Sequence, residues 1–210
     1  RHSGSFMITL DSSTQSALSS TRQVPRDFLE IKARDRSNGA IITDFLWSGI
    51  EEVEQAVIDP FTGQEKSEIW FGAGHMVGIG TIARVSNLTI TRTVIRLSEI
   101  SDRVNDLIRG YDPKYGSVVL YRSFIDPETG KFVAAGRPRF VGQIDNIEIT
   151  DPEEGGVGGV EVTCKSKLQD LTRSNPAKRS DSYQRLRNEN DTFRKYVASI
   201  GQREFTWGRT

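Results

Sequence analysis

Apolar and polar side chains alternate with a period of two through most of the middle of the chain. Residues 29–34 alternate apolar with charged side chains strictly, and residues 160–165 repeat this pattern with Val160, Val162 and Cys164 on one side. Alternation of this kind is typical of β-strands that have one face in a core and the other towards water. Ser117–Ile125 is apolar on both sides, which predicts a central strand covered on both faces.

Two of the predicted strands change phase along their length. In residues 88–97, and again in residues 140–149, apolar positions of one parity give way to apolar positions of the other. A β-bulge absorbs such a shift of one residue and bends the strand. The pattern therefore predicts a mainly β fold, either a bulged antiparallel barrel or a curled β-sandwich.

A short near repeat occurs twice, each time between two predicted strands. Residues 58–63 and 125–130 both read Ile-Asp-Pro-x-Thr-Gly. Asp accepts local backbone hydrogen bonds, Pro presets φ, and Gly supplies a positive φ at the exit, so both segments are predicted to be hairpin loops with a bulged exit. Calcium binding is the functional alternative, although neither loop has the regular oxygen spacing of a calcium loop.

Helical patterns are few and short. Residues 98–108 carry apolar side chains at helical spacing before Gly110, and residues 10–21 form a weaker candidate. Residues 191–200 predict a C-terminal helix with a stripe of Phe193, Tyr196, Val197 and Ile200. Residues 172–188 are polar and basic, with little periodicity, and are predicted to be an extended arm.

These patterns divide the chain into three parts. Residues 1–6 precede the first methionine and are expected to be the remnant of an expression tag. Residues 7–168 are expected to form the β-barrel or sandwich domain, and residues 169–210 a basic arm with a C-terminal helix that packs on the domain or on a neighbour.

Charge is unevenly distributed although the formal net charge is zero. Residues 165–210 hold eleven Lys/Arg and five Asp/Glu, whereas the remainder holds 17 and 23. A basic tail on an acidic body predicts a contact with another subunit or with nucleic acid, and a solvated surface arm is the alternative.

Composition restricts the chemistry that the chain can perform. There is one cysteine, and of the two histidines His2 lies in the expected tag, so a histidine-dependent nucleophile would have to use His75. The supply of Cys and His also falls short of an ordinary zinc site. No run approaches the roughly 20 apolar residues of a membrane helix. We therefore predict a non-enzymatic protein without catalytic, cofactor-binding or metal-binding residues.

The remaining motifs favour structural roles. Residues 72–78 are glycine-rich but have Val77 where a dinucleotide fingerprint needs its third glycine, and no helical pattern follows, so a strand corner with His75 in a loop is predicted. Cys164 is expected to be a small buried apolar residue. Two carboxylate pairs stay open as the basis of a hydrolase, namely Asp145 with Glu148 and Asp126 with Glu128.

Each of the three tryptophans lies close before a glycine. These are Trp47, Trp70 and Trp207. Tryptophan stacks on sugars, so a carbohydrate-binding β-sandwich that uses Trp47 or Trp70 is one alternative. Large anchors in a thin core or at a subunit interface are the favoured interpretation.

The order of these segments resembles the baseplate hub, or tail-tip, proteins of phages, prophages and gene transfer agents. The resemblance covers about residues 8–208 and rests on segments 46–49, 70–74, 95–98, 118–120, 139–145, 160–165, 191–197 and 207–208. It implies a structural subunit with tail-tube-like β-barrel domains. Some tail-tip relatives hold an iron–sulfur cluster through several C-terminal cysteines. No cysteine follows Cys164 in this sequence, so these residues cannot hold a four-cysteine cluster. Either this branch lacks the cluster, or the segment that binds it lies outside this sequence.

The resemblance also implies partners and a location. The expected partners are further copies of the chain in a ring, with a trimer favoured over a hexamer, together with the distal tail protein, the tape measure and receptor-binding or fibre proteins. Transient contact with DNA in the tail lumen is also expected. The location would be the virion tail tip, assembled in the bacterial cytoplasm. A hexameric distal tail protein is the alternative within the same class.

Overall fold

The structure is a computed structural model and describes residues 10–72, 76–83, 89–98, 102–150, 158–172, 179–197, 199 and 208. The chain divides into two compact units, Arg1–Leu171 and Thr172–Thr210. Their boundary lies three residues after the end of the predicted β domain at residue 168. His75, Trp207, the predicted tag at residues 1–6 and most of the glycine-rich loop at 155–159 lie outside the described residues.

The first unit is built on an antiparallel sheet of eight strands. In spatial order these are β2 (Ile41–Trp47), β1 (Val24–Asp35), β8 (Ser117–Ile125), β9 (Arg137–Thr150), β10 (Gly159–Ser166), β6 (Arg92–Leu97) and β5 (Met76–Ile79), with the two-residue β7 (Tyr111–Asp112) paired to the end of β1. The strand predictions at residues 29–34, 117–125 and 160–165 are thereby confirmed. Val160, Val162 and Cys164 are all buried, on the side that the alternation assigned to the core.

The sheet curls around the larger of two clusters of buried residues. Phe71 pairs with edge strand β2 through backbone hydrogen bonds to Phe45 and Trp47, and only five residues later Met76 begins the opposite edge strand. Five residues span at most about 18 Å, so these points on the two edges are close in space. One cluster of buried side chains accordingly includes Leu46 from one edge and Ile95 from near the other. The structure is therefore mainly β with a curled antiparallel sheet, as predicted.

A second, two-stranded sheet covers the outer face of this curled sheet. Strands β3 (Val53–Ile58) and β4 (Glu65–Trp70) form an antiparallel hairpin, named here the covering hairpin. Its inner side chains complete a second cluster of buried residues: Phe28, Trp47, Val57, Trp70, Val119 and Tyr121. Strand β8 contributes to both clusters, which confirms that it is central and covered on both faces.

Two bulges bend the long strand β9. Tyr121 pairs with Pro138 and Leu120 with Phe140, which leaves Arg139 as the extra residue. Further along, Cys164 pairs with Ile144 and Thr163 with Asn146, so Asp145 is extra. The second bulge confirms the phase change predicted for residues 140–149. In residues 88–97, by contrast, β6 begins only at Arg92, so Ile90 precedes the strand, and Leu88 lies outside the described residues.

Both Ile-Asp-Pro-x-Thr-Gly segments form the hairpin loops that the sequence predicts. Asp59 N–H donates to the carbonyl of Gln64, Gly63 N–H donates to that of Asp59, and Gly63 has φ +70. The loop after Asp126 repeats these contacts and ends at Gly130 with φ +68. Residues 35–40 form a third loop of the same kind around Gly39. The motif did not predict this loop, because the loop has no proline.

The helices agree only in part with the sequence predictions. Helix α1 (Ser12–Ser19) lies inside the weak candidate at residues 10–21, and α2 (Asp102–Asn105) continues into a π-helical turn, Asp106–Gly110. Val104 of α2 is fully buried in the core of the curled sheet. A further short helix, α3 (Gln169–Thr172), follows the sheet.

The C-terminal helix predicted at residues 191–200 is wrong in position. The described residues there form successive turns, in which Lys195 N–H donates to Thr192 and Val197 N–H to Arg194. Helix α4 (Asp181–Arg187) lies instead in the predicted extended arm. Local contacts explain this, because Ser180 caps α4 and Asp181 pairs with Arg185 one turn later. The apolar stripe after residue 191 stays exposed and adds no packing energy to a helix.

Candidate functional site

A buried carboxylate connects the curled sheet to the covering hairpin. The side chain of Glu30, on β1, is only 3 % exposed. Its Oε2 accepts hydrogen bonds from Lys66 Nζ of β4 at 2.6 Å and from the Tyr121 hydroxyl of β8 at 2.7 Å. Lys32 Nζ lies 3.3 Å from Oε1. The alternating pattern places Glu30 towards water, and it is buried because the covering hairpin packs on that face.

The Glu30 carboxylate is charged, and both of its oxygens have a partner. Burial acts to raise the pKa of Glu30, but the hydrogen bonds from Lys66 and Tyr121 and the charges of Lys66 and Lys32 outweigh it and lower the pKa below its ordinary value. Burial, followed by the hydrogen bond to Glu30, raises the pKa of Tyr121 far above its usual range. A carboxylate whose pKa is lowered and a phenol whose pKa is raised suit a fixed connection between layers better than proton transfer near neutral pH.

The aromatic side chains around this cluster form the second core. Trp70 is fully buried and lies edge-on to Phe28, Phe45 and Tyr121, with ring centroids 5.0–5.9 Å apart. Trp47 is 7 % exposed and stacks on Phe28. Such edge-to-face and offset pairs add stability beyond the area that they bury.

Neither tryptophan is available to a sugar. Trp47 Nε1 donates to the carbonyl of Glu51 at 2.6 Å, and Trp70 Nε1 donates to that of Gln55 at 3.0 Å. Both indoles are therefore core anchors, the interpretation favoured from the sequence. The carbohydrate-binding alternative loses the two residues on which it rested.

The carboxylate pairs considered for a hydrolase are engaged separately. Asp145, at the bulge of β9, forms a salt bridge with Lys165, while Glu148 accepts a hydrogen bond from Asn146. Asp126 accepts from the backbone N–H of Glu128 and the hydroxyl of Thr129, so it holds its loop. These hydrogen bonds lower the pKa of Asp126. The structure therefore gives Asp145, Glu148 and Asp126 local structural partners. Asp126 and Glu128 line a common pocket, but the hydrogen bonds of Asp126 serve to hold its own loop.

The remaining candidates are also placed by the structure. Cys164 is fully buried, and burial, with a smaller contribution from the charge of Asp145, raises the pKa of its thiol to about 12. A thiol so protonated is a poor nucleophile.

The glycine-rich segment at residues 72–78 continues into strand β5 at Met76, whereas a phosphate-binding loop needs a helix there. Within the described ranges, no group of three or more His, Cys, Asp or Glu side chains could hold a metal ion.

The outer face of the covering hairpin is an acidic surface that the sequence analysis did not single out. Residues 51–68 contain six Asp/Glu and a single basic residue, Lys66, whose ammonium points inwards to Glu30. Glu54, Glu65 and Ser67 are exposed on the outer side, and Ile69 beside them is 55 % exposed. The local excess of acidic residues was visible in the sequence, but its display on one face depends on the packing of the hairpin.

The second unit exposes apolar side chains among basic ones. Leu186 and Phe193 are 84 % and 85 % exposed, and Tyr196 and Val197 are also largely exposed. Helix α4 buries none of its residues. Exposed large apolar side chains in a cluster are typical of surfaces that bind another molecule.

Comparisons with known proteins leave the family of the chain open. No protein family model matches the sequence, and no curated protein matches it significantly. Among the helices of the described residues, none is both long enough and apolar enough to cross a membrane. The resemblance to baseplate hub proteins therefore rests on the residues that carry it.

Proposed function

We propose that this protein is a structural component of a phage-type tail tip, a baseplate hub subunit that links the tail tube and tape measure to receptor-binding parts. The proposal places it at the virion tail tip after assembly in the bacterial cytoplasm. Its role is to form contacts between subunits, without catalysis.

One observation carries this proposal: segments behind the resemblance form the core of one curled antiparallel sheet. Residues 46–47, 95–97, 118–120, 140–145 and 160–165 lie on β2, β6, β8, β9 and β10. This arrangement supports the proposal because the proteins that the sequence resembles have tail-tube-like β-barrel domains.

The two exposed surfaces give the proposal further support. A ring subunit needs surface that other subunits cover. Exposed apolar side chains are typical of such surface, and complementary charge helps to select the partner. The acidic outer face of the covering hairpin and the apolar side chains of the second unit both have this character.

Labelling of tail particles tests the proposal. An epitope on the chain should be detected by immunogold electron microscopy at the distal end of assembled tails. The matched control is a strain that lacks the gene, whose tails should carry no label and no complete tip until the gene is restored. Intact tips without the gene, or tails that never carry the label, would contradict a tail-tip role. Threefold symmetry of the isolated ring would support a hub, whereas sixfold symmetry would indicate the distal tail ring.

A further inference from the structure

We infer that the outer face of the covering hairpin is a docking surface for the C-terminal unit, Thr172–Thr210, of a second copy of this chain. The inference rests on the proposed function, because a face of one subunit that receives a segment of the next is the kind of contact that closes a ring. It adds to that function by naming the two surfaces that meet.

The docking face is an outer sheet face with a defined composition. The register of the hairpin places Glu54 opposite Ile69 and Ala56 opposite Ser67. All four side chains lie on the side away from Trp70 and Val57, which are buried against the curled sheet. The face thus presents one exposed branched apolar side chain, Ile69, with the carboxylate of Glu54 opposite it and that of Glu65 at the other end of β4. Ile50, which precedes β3, is 82 % exposed.

Charge complementarity identifies the occupant. Residues 51–68 have a net charge of −5, and residues 172–210, with nine Lys/Arg and four Asp/Glu, have a net charge of +5. Part of this acidic charge lies off the outer face, because Glu68 shares the inner side of β4 with Trp70. The exposed carboxylates on or beside the face are those of Glu51, Glu52, Glu54 and Glu65, and the C-terminal unit carries the opposite charge. Complementary surfaces of this kind steer association and select the partner.

Apolar surface is present on both sides as well. Leu186, Phe193, Tyr196 and Val197 are half-exposed or more, and α4 buries none of its residues. Removal of these side chains and of Ile50 and Ile69 from water would supply the non-directional part of the binding energy. The exposed Arg187 and Lys195 lie close in sequence to these apolar residues and would face the carboxylates of the hairpin.

Charge reversal in the full-length chain tests the inference. One variant carries Glu54→Lys and Glu65→Lys on the hairpin, a second carries Arg187→Glu and Lys195→Glu, and a third combines all four changes. Sedimentation velocity over a range of concentrations measures self-association. Each of the first two variants should raise the dissociation constant at least tenfold, because like charges would then face each other. The combined variant should associate more tightly than either single-surface variant, because the four reversed charges then attract one another again.

A matched control reverses charges outside both surfaces. Glu128→Lys with Lys131→Glu changes two exposed residues of the loop after Asp126 and should leave self-association unchanged. All variants should fold, because every substituted side chain is exposed, and circular dichroism and thermal unfolding check this. Added salt should weaken association of the wild type and change that of the two single-surface variants much less.

Three outcomes would overturn the inference. The first is a wild-type chain that sediments as a monomer at all concentrations, and the second is variants that associate like the control. The third is docking within one chain, seen as loss of proteolytic protection of the C-terminal unit in the hairpin variant without any change in mass. Label at the distal end of tails would leave the proposed function standing in each of these cases, so the two failures are distinguishable.

Discussion

Glu30 is a charged residue in an alternating strand, yet its side chain is enclosed between two sheets. Lys66, Lys32 and Tyr121 converge on its carboxylate from three different strands. A buried charge with partners of this quality holds its surroundings in one arrangement, and the loss of one partner leaves the others unsatisfied. At the scale of single residues, Glu30 is therefore expected to be much more sensitive to substitution than its position in the pattern indicates.

Glu30→Gln should lower the free energy of unfolding by about 1–3 kcal/mol, because Lys66 and Lys32 lose a buried counter-charge. Glu161→Gln is the matched control, since Glu161 also pairs with a basic residue across a strand pair, but its side chain is 42 % exposed. The control should change stability by about 0.5 kcal/mol or less. Urea unfolding at pH 7 measures both effects, and equal effects would contradict a special role for Glu30.

The effect of Glu30→Gln should also depend on pH. The pKa of Glu30 is lowered in the folded state from its ordinary value of 4.5, so the folded protein binds this proton more weakly than the unfolded chain does. The stabilisation is fully present above the ordinary pKa and is lost as the pH falls through the folded value. The difference in stability between wild type and variant should therefore shrink as the pH falls below 4.5. A difference that stays constant on acidification would contradict this.

Position 49 requires glycine because the indole of Trp47 occupies the space that a side chain would fill. A Cβ there would lie 2.0 Å from the ring of Trp47, which is held by Phe28 and by its hydrogen bond to Glu51. Gly49→Ala should therefore destabilise the protein by about 1–3 kcal/mol through overpacking. Gly110→Ala is the control, because nothing lies within 4 Å of its added Cβ. Thermal unfolding distinguishes the two, and similar melting temperatures would contradict the steric explanation.

Among the elements of the second unit, a helix forms where Ser180 caps its N-terminus, whereas the apolar residues 193–197 form turns. Helix α4 begins where the Ser180 hydroxyl accepts a hydrogen bond from the N–H of Tyr183, and it buries none of its residues. The stripe at residues 193–197 has the helical spacing but remains in water. Amphipathic periodicity stabilises a helix only when a partner covers its apolar face.

Ser180→Ala should weaken α4 by about 0.5–1 kcal/mol, because the N-terminal amide loses its cap. In the full chain this corresponds to about two- to fivefold faster hydrogen exchange of the amides of residues 183–187. Ser182→Ala is the matched control, since Ser182 is exposed inside the same helix and makes no capping contact. Equal exchange rates in the two variants would exclude the cap as the reason for the helix.

At the scale of the whole molecule, both buried clusters belong to the first unit. Every residue in them lies between Phe28 and Cys164, on or between strands of that unit. Hydrophobic burial is the main source of folding free energy, so this unit contains most of the stability of the chain.

A chain that ends at Leu171 should therefore unfold cooperatively, with a melting temperature within a few degrees of that of the full chain. A chain that ends at residue 158 is the control, because it lacks β10 and with it Val160, Val162 and Cys164 of the larger cluster. The control should fail to fold. Circular dichroism during heating measures both, and loss of cooperative unfolding in the longer truncation would show that the first unit depends on the second.

Local sequence was sufficient wherever the decisive contacts are themselves local. The inward side of β10, the central strand β8, the bulge at Asp145 and the two Ile-Asp-Pro-x-Thr-Gly loops follow from strand alternation and turn chemistry. The buried state of Cys164 follows from the same alternation. The position of the C-terminal helix could not be predicted in this way, because periodicity alone does not show whether another element covers an apolar face.

Other features depend on which element packs against which strand. The covering hairpin encloses Glu30, makes Trp47 and Trp70 core residues, and displays an acidic surface on its outer side. None of this is encoded in the spacing of residues along one strand, since alternation distinguishes two faces but not what covers each of them. Strand alternation and composition were enough to predict a curled, mainly β fold and a limited supply of catalytic side chains. Packing between layers determines which charges are enclosed and which are exposed.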